Sequence, residues 1–178
     1  KMYQKISWGR ENKKYFLIAV FVSAVLLCFT ALFFKLNLEP SCFFTLRNAD
    51  TGEVYAQYRY TEGDKCSIAF VHSINKTPVT EGYILCRDRI VLHYCLYYSF
   101  GAGVATEISK EQMLSYTNDG GMLISNMNYE IPELIYFVGT ISDHILRING
   151  EEISLRNLCG KSSKVSFTVE QKIGLNRR

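Results

Sequence analysis

Residues 66–98 read CSIAFVHSINKTPVTEGYILCRDRIVLHYCLYY. Three short apolar runs, at 66–71, 83–86 and 90–98, are separated by the polar decapeptide 72–81 and by Arg87-Asp88. Runs of this length, rich in β-branched and aromatic residues and bounded by turn formers, predict antiparallel strands. With Arg87-Asp88 as a two-residue turn, paired residue numbers sum to 175. Lys76 is then expected opposite Ser99, Thr77 opposite Tyr98, Glu81 opposite Tyr94 and Cys95 opposite Thr80. So long a ladder exceeds most strands and Pro78 cannot donate to it, so a bulge is expected near Pro78 or Gly82.

The same texture continues on both sides. Asn48-Ala49-Asp50-Thr51-Gly52 and Asp119-Gly120-Gly121 are turn signals, and Asn149-Gly150 between two apolar runs is the strongest hairpin signal in the sequence. Residues 54–60 and 164–170 alternate as half-exposed strands do, whereas the continuous apolar run 134–138 predicts a strand buried on both faces. Only 106–113 has a faint helical look. About nine or ten strands follow, so the fold class is mainly β: an antiparallel β-sandwich or small barrel over 41–173.

Upstream the chemistry changes. Residues 15–34, YFLIAVFVSAVLLCFTALFF, carry no charge, and twenty residues of helix are about 30 Å long, the thickness of a bilayer's hydrocarbon core. A cleavable leader has a shorter apolar region and a small-residue cleavage site, which this stretch lacks. A single transmembrane helix is therefore expected at 15–34, with the lipid bilayer as its partner. It divides a basic tail at 1–14 from a tether at 35–40 and the β domain. Lys1, Lys5, Arg10, Lys13 and Lys14 precede the span against Glu11 alone, which predicts a cytoplasmic N-terminus and an extracytoplasmic β domain in a single-pass protein of the cell membrane.

The net charge of +3 belongs to that tail. Taking its five basic residues and one acid from the 20 and 17 of the whole sequence leaves 15 basic against 16 acidic. Nucleic acid thus loses its electrostatic motive as a partner. Five of the six cysteines lie beyond the span, and in the predicted hairpin Cys86 and Cys95 stand roughly 20 Å apart, beyond bridging reach. Free thiols are expected.

The decapeptide packs His72, Lys76, Glu81 and three hydroxyls between apolar strands, and the hairpin brings it beside Ser99-Phe100-Gly101-Ala102-Gly103. Two glycines around Ala102 permit a backbone amide nest for an anion, with Lys76 beside it. The candidate ligand- or partner-binding residues are His72, Ser73, Lys76, Thr77, Glu81, Ser99, Gly101, Ala102 and Gly103, with Asp143 and His144 as secondary members. The competing reading is that Glu81, Lys76 and the hydroxyls satisfy one another and the glycines serve a turn.

Catalysis has little to stand on. Neighbours on a strand face opposite ways, so His72 and Ser73 do not form a nucleophile–base pair, and there is no Gly-x-Ser-x-Gly elbow. His72, His93 and His144 have no His or Cys at ligand spacing, and Gly101-Ala102-Gly103 lacks the third glycine and βαβ frame of a dinucleotide loop. No catalytic residue, metal or cofactor is expected. Asn75-Lys76-Thr77 matches a glycosylation sequon, which has meaning only in a eukaryotic secretory pathway.

His72-Ser73, Lys76-Thr77-Pro78-Val79 with Glu81, Ser99-Phe100-Gly101-Ala102-Gly103, Val138-Gly139, Asp143-His144 and Asn149-Gly150, in that order, resemble an uncharacterised bacterial and archaeal family, domain of unknown function 1850. The resemblance runs from about Phe70 to Val169, departing where Val104-Ala105 stand in place of the family's usual Leu-Pro. It implies a membrane-anchored accessory to TRAP transporters of the TAXI type, docking on a membrane subunit or a solute-binding protein, and supplies no catalytic residue. An autonomous extracytoplasmic domain that binds or senses a small carboxylate is the alternative.

Overall fold

The computed structural model describes residues 10–99 and 108–175. In sequence order the elements are α1 (Arg10–Asn37), β1 (Leu38–Asn48), β2 (Val54–Tyr60), β3 (Lys65–Val71), β4 (Pro78–Leu85), β5 (Ile90–Tyr97), β6 (Met113–Tyr116), β7 (Met122–Ser125), β8 (Tyr129–Ile131), β9 (Leu134–Phe137), β10 (Ile145–Ile148), β11 (Glu151–Ser154), α2 (Leu155–Cys159) and β12 (Lys164–Leu175). Two compact units result, one built on α1 and one comprising Ser41–Lys172.

Within α1, Asn12–Phe33 is long and apolar enough to cross a membrane, and none of it is buried by protein. Its serine and threonine hydroxyls are satisfied locally: Ser23 donates to the Val20 carbonyl at 2.8 Å and Thr30 to that of Leu27 at 2.9 Å. Polar groups paired this way cost little in a nonpolar surround.

The second unit is mainly β. One sheet has the order β2-β1-β12-β9 and the other β11-β10-β3-β4-β5-β7-β6, with β8 added to β5. Their inner faces share one core. Phe44, Leu46, Leu134, Tyr136, Val165 and Phe167 come from the first sheet, and Cys66, Ile68, Tyr83, Leu85, Ile90, Leu146 and Ile148 from the second. Two sheets closing on one apolar layer make a β-sandwich rather than a barrel.

The β4–β5 register starts as the numbering predicts, Leu85 opposite Ile90 and Tyr83 opposite Leu92, then slips by one between Gly82 and Tyr83. His93 is the extra residue of this bulge. Beyond it Gly82 faces Tyr94, Glu81 faces Cys95 and Thr80 faces Leu96. The slip keeps Val79, Cys95 and Tyr97 inside, where they join Met122 and Ile124 in a smaller apolar cluster. Gly82 is required there, because a Cβ on it would lie 1.9 Å from Tyr94 Cε1. On either side of His93, β5 gives its outer edge to two strands, β8 at Ile90–Leu92 and β7 at Cys95–Tyr97.

Three expectations are corrected. The run 134–138 is not covered on both faces: β9 ends the first sheet, Leu134 and Tyr136 point inward, and Phe137 is 67% exposed. Residues 72–76 are not strand but the turn between β3 and β4, since β3 ends at Val71 and β4 begins at Pro78. The run 151–155 after Asn149-Gly150 predicts a strand to its end, yet Leu155 starts the short α2, because the Ser154 hydroxyl accepts from the Asn157 amide and caps it. Of the faintly helical stretch 106–113, residues 106 and 107 lie outside the described residues and 108–112 form turns leading into β6.

Candidate functional site

At one end of the sandwich the β3–β4 turn meets the β9–β10 loop. Phe137 pairs with Lys164, whose carbonyl accepts from the Ala49 amide just past β1, so this is the Asn48 end of β1. Ser41, the first residue of this unit, lies at the opposite end.

The turn is self-capped. The His72 amide donates to the Thr77 carbonyl and the Lys76 amide to the His72 carbonyl, both at 2.9 Å. His72 Nδ1 accepts from the Ile74 and Asn75 amides, each at 3.3 Å. Lys76 closes the turn in the left-handed region, φ 56°. Ile74 projects from the tip, 69% exposed. The Thr77 and Ser99 hydroxyls lie 3.0 Å apart, so the decapeptide does reach Ser99, one position along from the expected pairing because of the bulge at Gly82.

The facing loop is bound from within. Gly139 sits so close to the Ser142 carbonyl that a Cβ would come within 2.3 Å of it, and the Ser142 hydroxyl donates to the Val71 carbonyl at 3.3 Å. Asp143 turns inward, accepting from the His144 amide at 2.7 Å, the Arg156 amide at 3.0 Å and the Ser154 hydroxyl. Burial alone would raise its carboxyl, but these donors and the Arg156 charge hold it below the usual range. Arg156 also donates to the Gly139 carbonyl at 3.3 Å. Asp143 is thus a fastener for the loop and α2 rather than a group facing solvent.

His144 is buried against Phe70, stacked at 5.0 Å, and edge-on to Tyr136 at 5.6 Å. Its Nδ1 accepts from the Gly139 amide at 3.3 Å, leaving the proton on Nε2. Burial lowers its pKa, the nearby Asp143 opposing and Arg156 reinforcing the shift, so the ring is neutral.

Between turn and loop lies a cleft of about 450 Å³. Phe70, Val71, His72, Ser73 and Lys76 line one side, and Phe137, Gly139, Thr140, Ile141, Ser142 and His144 the other. Four residues singled out in the sequence, His72, Ser73, Lys76 and His144, therefore line one cleft. Glu81 does not join them: it sits inside the sandwich, accepting from Tyr83 at 3.0 Å and from Tyr136. Gly101, Ala102 and Gly103, and with them the amide nest, lie outside the described residues.

Sequence reading missed the apolar rim. Ile141 is 88% exposed, and Phe137 and Ile74 are exposed as well. The signal for it was Ile141 standing alone among Gly139, Thr140 and Ser142 in a short polar loop, where nothing buries it. Neither histidine of the cleft is hydrogen-bonded to a serine, threonine or cysteine side chain among the described residues. No group of three His, Cys, Asp or Glu there could hold a metal ion.

No curated protein and no solved structure matches the sequence significantly. A family model described as domain of unknown function (DUF1850) matches residues 66–155, which is half the sequence and includes the turn, the loop and the Asp143–Ser154 fastening. The chain is a member of the DUF1850 family.

Proposed function

We propose that this protein is a membrane-anchored, extracytoplasmic docking protein with no catalytic activity of its own, serving a TRAP-type solute transport system of the TAXI kind. The observation that carries docking is the rim: Phe137, Ile141 and Ile74 are held exposed by tightly bonded loops around a cleft. Rigid loops that display large apolar side chains to water give up stability unless a partner covers them. Anchoring rests on the uncovered apolar helix, and orientation on the basic residues before it. The transport system is what the family resemblance implies, and one span cannot itself form a transport pathway.

Affinity purification of the full-length protein from its own membranes tests this. A TRAP membrane subunit or solute-binding protein is expected to co-purify and to be lost with Ile141→Asp. A monodisperse protein without partners, in detergent that preserves other complexes, sinks the proposal. The small-carboxylate reading draws on one observation, the Lys76 ammonium at the cleft with no ion-pair partner among the described residues. Under that reading a thermal shift by succinate or pyruvate, abolished in Lys76→Ala, is expected instead of a complex.

A further inference from the structure

We infer that the cleft takes an extended segment of a partner protein in which a bulky apolar side chain stands next to a carboxylate, either Asp, Glu or the partner's terminal carboxyl group. This rests on the docking reading and adds the chemistry of what is docked.

The apolar half follows from the walls. Val71, Phe137 and Ile141 border a space of about 450 Å³, within the ~300–1,000 Å³ of pockets that enclose a ligand group. A concave space with apolar walls excludes water best when a side group fills it.

The acidic half follows from charge. Across 70–77 and 137–144 the only carboxylate is Asp143, and both of its oxygens are spent on Ser154, His144 and Arg156. Lys76 lines the cleft and has no carboxylate partner among the described residues. The mouth therefore presents one positive charge beside apolar walls, which attracts a carboxylate and disfavours a basic segment.

The extended form follows from β9. It is the last strand of its sheet, and among the described residues no strand pairs with its second edge. Strand addition there supplies main-chain hydrogen bonds, while the cleft and Lys76 read alternate side chains. A bilayer is the weaker fit, because lipid-binding surfaces carry clusters of basic residues, whereas this concave one has a single lysine.

The test places the photo-cross-linking residue p-benzoylphenylalanine at Ile141 of the full-length protein, irradiates it in its own membranes and sequences what is attached. The expected product is one segment of a partner protein with Asp, Glu or its terminal carboxyl group within about three positions of an apolar residue. Its yield should fall about tenfold in Lys76→Glu and roughly twofold to threefold in Lys76→Gln, and hold in Lys76→Arg. Unchanged melting profiles separate these effects from unfolding. Attachment to lipid, to a basic segment, or with a yield indifferent to Lys76→Glu overturns the inference. If the protein still co-purifies with a partner but Ile141 attaches to nothing, this inference fails while docking through another face stands. Failure of co-purification and cross-linking together removes the docking reading as well.

Discussion

The Tyr136 phenol on β9 donates to the Glu81 carboxylate on β4 and so links the two sheets through a polar bond inside an apolar core. The Tyr83 hydroxyl completes a triangle, 3.0 Å from the same carboxylate oxygen and 2.6 Å from the Tyr136 hydroxyl. Burial pushes both phenols well up, with Glu81 adding to it at Tyr83, and Tyr83 and then Glu81 at Tyr136. Both are therefore protonated donors at neutral pH. Tyr136 also packs edge-on against His144, so the wall of the cleft is braced by this triangle.

Tyr136→Phe removes one donor from a half-buried carboxylate while keeping the ring. Hydrogen bonds to charged groups contribute about 1.5–3 kcal/mol, and a unit of this size loses roughly 3–5 °C of Tm per kcal/mol. A fall of roughly 5–15 °C is expected in a thermal melt. Adding Glu81→Gln should cost less in the Tyr136→Phe background than in wild type, because the two changes share one interaction. Strict additivity of the two would show that the triangle does not couple the sheets.

Gly82→Ala meets Tyr94, whose ring lies over the glycine across the bulge. The ring must swing away, and overpacking of this kind costs roughly 1–3 kcal/mol. Removing the obstacle should relieve the strain, so the Gly82→Ala, Tyr94→Ala double variant is expected to be more stable than the sum of the two single effects. Equilibrium unfolding in urea measures all four corners of the cycle. A sum that adds without coupling contradicts the close approach.

What could be read in advance was local. An apolar run without charges gives a helix, and Asn149-Gly150 gives a hairpin, both residues taking positive φ at 53° and 79°. The bulge was legible only as an expectation near Pro78 or Gly82, because its position is decided by Tyr94 reaching across to the neighbouring strand. The cleft was less legible still. Val71 and Ser142, 71 positions apart, are joined by a hydrogen bond that depends on β10 pairing beside β3 in the same sheet, and no local pattern encodes that. Phe137 misled for the same reason: an apolar run shows that side chains prefer burial, not that a second layer exists to bury them.

The thiols are expected to be inert until the domain opens. Burial pushes Cys66 up to about 12 and Cys95 and Cys159 to about 11, so the thiolate that alkylating agents need is scarce. None of the six cysteines is bridged. Iodoacetamide at pH 8 should label these three on the order of a hundredfold more slowly in the folded protein than in guanidinium, with half-exposed Cys86 ahead of them. Reductant should leave the Tm unchanged. A melt that drops with dithiothreitol would reveal a disulfide and refute both statements.

His144 makes the domain sensitive to mild acid. Its folded pKa lies below the ordinary 6.5 because burial disfavours the imidazolium, which Asp143 only partly offsets and Arg156 opposes further. The unfolded state thus binds a proton that the folded one refuses, and stability falls with decreasing pH from just above 6.5 down to the folded value. Protonation also places a second cation beside Arg156, although the Gly139 amide bond to Nδ1 is what it breaks first. Asp143, Asp119 and Glu170 are held below their ordinary carboxylate values, so their losses come at lower pH, below about 4. Melting curves between pH 8 and pH 5 therefore separate the histidine from these carboxylates. Wild type should lose Tm across that window, and His144→Asn, which keeps an acceptor for the Gly139 amide but cannot titrate, should start lower and stay flat. Equal slopes in the two proteins would assign the acid sensitivity to another group.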